Sequence, residues 1–115
     1  MDTAIVFTYG RSFPGREGQA LEAFTQALAF FGTHSHEGDC GEALTFMGPS
    51  GVNLMIVPGT YEKLYNLVHL DEFLDLYTKA LIAVPDPRYE IGNFGEGVQT
   101  AMARWARITG DLHLV

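Results

Sequence analysis

The chain has 115 residues, 47% of them hydrophobic and only 18% charged, with a formal net charge of −7. That length allows a single domain spanning residues 1–115, and so low a charge fraction favours burial of a surface against another subunit. Seven scattered Lys and Arg argue against nucleic acid and anionic membrane as partners, while the lone Cys40 excludes an intrachain disulfide and points to a cytoplasmic protein.

Met1-Asp2-Thr3 runs straight into a strand without a basic and then apolar leader, and no apolar run approaches the roughly 20 residues of a membrane-spanning helix. The first strand is Thr3 to Tyr9, β-branched and aromatic, ended by Gly10. From Arg16 to Phe31, Leu21, Phe24, Leu28 and Phe31 recur at helical spacing with Ala20, Ala23 and Ala27 on the same face; Gly32 is expected to end this helix. A polar loop, Thr33 to Gly41, leads to a second strand, Glu42 to Met47, and Gly48-Pro49-Ser50-Gly51 turns the chain into a third, Val52 to Val57. Thr60 is placed to cap a short helical stretch through Val68, and Asp71 to cap a longer one that stops before Pro85. Arg88 to Phe94 alternates as a fourth, edge strand, and Gly95 to Ile108 carries Val98, Ala101, Met102, Trp105 and Ile108 at helical spacing, with Gly110 just beyond.

Strand–helix–strand is therefore written twice, with Leu54-Met55-Ile56 following Ile5-Val6-Phe7 at an offset of 49 positions. Two such units interleave as an α+β, ferredoxin-like βαββαβ antiparallel sheet in the order 4-1-3-2. Right-handed crossovers put both inter-strand helices on one face. The central strands are apolar on both sides, so something else must cover the second face: the C-terminal helix of the same chain or a second copy. On this topology, length and strand patterning, over residues 3 to about 94, the chain resembles the dimeric α/β-barrel superfamily, in which two ferredoxin-like sheets pack face to face. That resemblance implies a homodimer through the sheet face. It also implies small-molecule chemistry of the kinds found in the superfamily, which holds cofactor-independent monooxygenases, isomerases, haem proteins and stress-response proteins. The extra C-terminal helix departs from the minimal unit.

Candidate chemistry gathers at three places. Tyr61, Tyr65 and His69 fall four residues apart and share one face of a helix. There His69 is the candidate base and Tyr65 its hydrogen-bonding partner, with Tyr61 as a substrate contact; the same tyrosines equally suit a half-buried surface with hydroxyls in water. Tyr9 and Arg11 close the first strand, where an arginine can hold a carboxylate or phenolate, or simply lie in solvent. Trp105 is a substrate platform or, more in keeping with its apolar stripe, an interface anchor. The loop His34-Ser35-His36-Glu37-Gly38-Asp39-Cys40 holds five metal-ligating residue types, yet no second ligand pair exists elsewhere, so neither a metal nor another cofactor is expected. Nucleotide-binding and nucleophile motifs are also missing. The expected function is a small-molecule enzyme, a cofactor-independent monooxygenase or isomerase acting on a hydrophobic or aromatic substrate. The alternative is a non-enzymatic ligand-binding or stress-associated structural dimer.

Overall fold

The computed structural model describes residues 2–112; residue 1 and residues 113–115 of the expected domain lie outside them. The elements are β1 (Thr3–Tyr9), α1 (Glu17–His36), β2 (Leu44–Met47), β3 (Asn53–Gly59), α2 (Tyr61–Leu67), α3 (Asp71–Ala83), β4 (Arg88–Asn93) and α4 (Glu96–Asp111). The four strands form one sheet in the order β2-β3-β1-β4, every neighbouring pair antiparallel. This is the ferredoxin-like order expected from the doubled strand–helix–strand pattern.

Side-chain alternation divides the sheet. Ile5 sits opposite Val57 and Ile91, and Phe7 opposite Met55 and Tyr89, all toward the layer formed by α1 and α3. Phe31, Ile5, Leu64 and Val57 are fully enclosed there, and Phe7, Phe30, Phe31 and Phe73 interlock with ring centroids 5.0–6.3 Å apart. On the other face Val6 pairs with Ile56, which in turn pairs with Leu44, and Thr8 pairs with Leu54, which in turn pairs with Phe46. The edge residues Leu44 and Phe46 are 53% and 56% exposed, and nothing among the described residues covers them.

Several boundaries differ from expectation; β2, for one, starts at Leu44 and not at Glu42. Helix α1 runs through Gly32 to His36, because Phe30, Phe31 and His34 continue the buried stripe and that burial outweighs the about 1 kcal/mol penalty of an interior glycine. The chain turns instead at Gly38, whose φ of 84° only glycine adopts easily. Strand β3 continues through Pro58 and Gly59. Proline is tolerated because the β2 ladder ends opposite Ile56, so on that side Pro58 need only accept, its carbonyl taking the Gly41 N–H at 2.7 Å, and Gly59 leaves the space that Leu64 fills. Helix α4 extends past Gly110 to Asp111. Thr60 occupies the N-cap of α2 and Leu70 that of α3, neither with a side-chain capping bond; Asp71 and Glu72 instead favour the positive end of α3. No helix among the described residues is long and apolar enough to cross a membrane.

Candidate functional site

The helix layer does not fill the space over the sheet evenly. Where α1 carries Phe30 and Phe31 the interior is packed; a few turns earlier it carries Ala20, Ala23 and Ala27, and α3 faces them with Ala80 and Ala83. Short side chains on both helices leave a cavity of about 540 Å3 between the layers. Its walls are aromatic and apolar, with Phe7, Phe24, Phe31, Met55, Phe73 and Tyr77 prominent. A volume of this order accommodates a drug-sized molecule, the usual range being roughly 300–1,000 Å3.

The polar groups in that wall are few. Tyr77 Oη donates to the Pro87 carbonyl at 2.7 Å and is satisfied. Tyr9, at the end of β1, packs its ring 6.2 Å from that of Phe24, and its hydroxyl is buried without a hydrogen-bonding partner among the described residues. Burial pushes the Tyr9 phenol above its ordinary value, so at neutral pH it is a hydrogen-bond donor and not a base. Arg11 lies at the open end, where its Nη2 donates to the Pro49 carbonyl at 2.9 Å across the β2–β3 turn. Arg88 lines the same cavity but is engaged with Asp86 at 2.9 Å. Among the described residues no carboxylate, imidazole or thiol lines it.

The structure thus brings Tyr9 and Arg11 to one cavity and leaves the other candidates elsewhere. Tyr61, Tyr65 and His69 do share a face, with Tyr61 stacked on Tyr65 at 6.1 Å and Tyr65 4.2 Å from His69. That face is exposed and does not adjoin the cavity. His69 Nδ1 donates to the Tyr65 carbonyl at 2.7 Å, which leaves Nε2 as the open nitrogen. Trp105 is exposed on α4, also away from the cavity. In the His34–Cys40 segment, His34 Nδ1 donates to Asp39 at 2.8 Å, a hydrogen bond that closes the turn after α1, and lies 3.7 Å from Glu37. His36 is not among these converging groups, and Cys40 turns inward, its thiol pushed up first by burial and then by Asp39.

Sequence reasoning missed Phe24, Phe31, Phe73 and Tyr77 as cavity walls. The signal was present in the alanines of α1, whose spacing read as core filling; only opposite Ala80 and Ala83 do they become a void.

No family model matches the chain, and no curated protein sequence matches it. Solved structures do. The chain is similar to SnoaB, a cofactor-independent oxygenase from Streptomyces nogalater, at 14% identity, covering 83% of this chain and 93% of that one with a TM-score of 0.59. It is similar to a conserved protein of unknown function from Bacteroides thetaiotaomicron at 14% identity, with coverages of 81% and 98% and a TM-score of 0.59. A third is Rv0793 from Mycobacterium tuberculosis, at 8% identity, coverages of 83% and 94% and a TM-score of 0.62. Likeness at this identity establishes a common ferredoxin-like fold.

Proposed function

We propose that the chain binds a hydrophobic or aromatic small molecule in the cavity between sheet and helices, and oxidises it with dioxygen without a bound cofactor. The observation that carries this reading is the buried Tyr9 hydroxyl, unpartnered among the described residues, in a largely apolar cavity: a ligand oxygen placed there gives the phenol the acceptor it lacks. The fold shared with SnoaB, a cofactor-independent oxygenase, supports the reaction class. Since no carboxylate or imidazole lines the cavity among the described residues, the substrate is one whose own phenol or enol ionises readily, with Arg11 at the rim favouring the anion. His69 and Tyr65, outside the cavity, are assigned no part in its chemistry. The same shortage of bases favours a second reading, a ligand-binding protein that carries out no reaction.

We further propose that the protein acts as a homodimer through the uncovered face around Val6, Leu44, Phe46, Leu54 and Ile56. Its single, buried cysteine suits a reducing cytoplasm.

Binding of anilinonaphthalene sulfonate, an apolar fluorophore with one anionic group, and its displacement by 1-naphthol test the site, with oxygen uptake measured in parallel. Displacement with oxygen uptake supports the oxygenase; displacement without uptake supports the binding protein. No saturable binding would exclude both. Tyr9→Phe is expected to weaken 1-naphthol about 3- to 10-fold, the worth of one neutral hydrogen bond.

A further inference from the structure

Helix α4 is an amphipathic helix whose apolar stripe is mostly uncovered among the described residues. At 100° per residue, Val98, Ala101, Met102, Trp105, Ile108, Thr109 and Leu112 fall within an arc of about 120°, the width of a core-facing stripe. Yet Met102 and Trp105 are 65% and 68% exposed, and among the described residues the helix meets the rest of the chain chiefly along β4 and where Gly97 packs against the Asp2 backbone. A compact chain of this length has a radius of gyration of about 13 Å; this one has 16.5 Å, with a long dimension of 54 Å. The second uncovered apolar surface, the outer sheet face, is left bare by the same departure.

The amount of excess surface identifies the occupant. The chain exposes 7669 Å2, whereas a compact monomer of this mass exposes about 6,200 Å2. The surplus of roughly 1,400 Å2 exceeds the about 800 Å2 that each partner buries in a standard interface and falls in the obligate homodimer range. Two unpartnered surfaces on one chain satisfy each other when a twofold axis relates two copies, each lending its helix to the other. Charge agrees: α4 holds Arg104 and Arg107 against Glu96 and Asp111, so the net −7 resides on the remainder of each chain and α4 approaches it without repulsion.

We infer that α4 is an exchanged arm, which leaves its own sheet and packs its Val98–Met102–Trp105–Ile108 stripe on a second copy of this chain. The inference rests on the proposed sheet-face dimer and adds to it the destination of the helix.

Trp105, the chain's single tryptophan, reports the outcome directly. The full chain is diluted while its mass is followed by light scattering and its fluorescence by emission wavelength. The expected result is a mass of two chains with blue-shifted emission, moving to that of a water-exposed indole as the mass halves. Met102→Glu, at a position already open to solvent in the protomer, shifts this midpoint to about tenfold higher concentration or more while far-ultraviolet circular dichroism stays unchanged. A dimer whose Trp105 emits as an exposed indole throughout, or a Met102→Glu chain that dimerises like the wild type, overturns the exchanged arm and leaves the sheet-face dimer standing. Blue emission that ignores dissociation places the helix on its own chain and overturns the inference too. A single-chain mass at every concentration overturns both the arm and the dimer.

Discussion

Among single residues, the proposed function rests on Tyr9. Its side chain continues the Ile5–Phe7 alternation of β1, so the pleat delivers a phenol into the helix layer one turn of the strand beyond the core. Burial raises its pKa above the ordinary value near 10. The folded state therefore holds the proton more tightly than the unfolded chain, and stability falls as pH rises from about 10 through the folded value. Thermal unfolding across pH 8 to 12 is expected to show this loss in the wild type and a shallower one in Tyr9→Phe. Equal slopes would mean that the hydroxyl is not desolvated. Arg11 works differently: its guanidinium ties the β2–β3 turn to the end of β1 and keeps a positive charge at the rim of an acidic protein.

Among the elements, helices α1 and α4 show how burial overrides local preference. Gly32 lies inside α1, exposed and with open space around the position of a Cβ, so Gly32→Ala is expected to stabilise the protein by about 0.5–1 kcal/mol through helix propensity and a less flexible unfolded chain. At Gly97 the same substitution drives a Cβ into the Asp2 carbonyl, where only backbone can yield; a loss of about 1–3 kcal/mol is expected. Urea unfolding of the two variants checks both signs. Opposite outcomes from one substitution type separate an intrinsic helix penalty from the packing that anchors α4.

For the whole molecule, the proposed dimer through the uncovered sheet face and the projecting α4 makes stability depend on a second copy. Melting temperature is expected to rise with protein concentration, and Phe46→Glu, which puts a charge on the exposed β2 side of the outer face, is expected to abolish that rise. A concentration-independent melt in the wild type would remove the interface. Much of this architecture is legible in one dimension. Period-two alternation in β1 and β3 marks strands apolar on both sides, the offset repeat orders the sheet, and the apolar stripe of α4 is visible at helical spacing, because each rests on side-chain direction within a single element. Helix ends were less legible: Gly32 has the chemistry of a stop, and only the burial of Phe30 and Phe31 against the sheet carries the helix past it. The site was least legible. Tyr61, Tyr65 and His69 form the face that their spacing dictates, but whether that face looks into a cavity or into water depends on how α2 is set against the sheet. Ala20, Ala23 and Ala27 read as core until Ala80 and Ala83, some sixty residues later, come to lie opposite them. Local periodicity determined which faces are apolar; the void, its unpartnered Tyr9 hydroxyl and the stranded α4 arise from the distances between elements, which no single segment encodes.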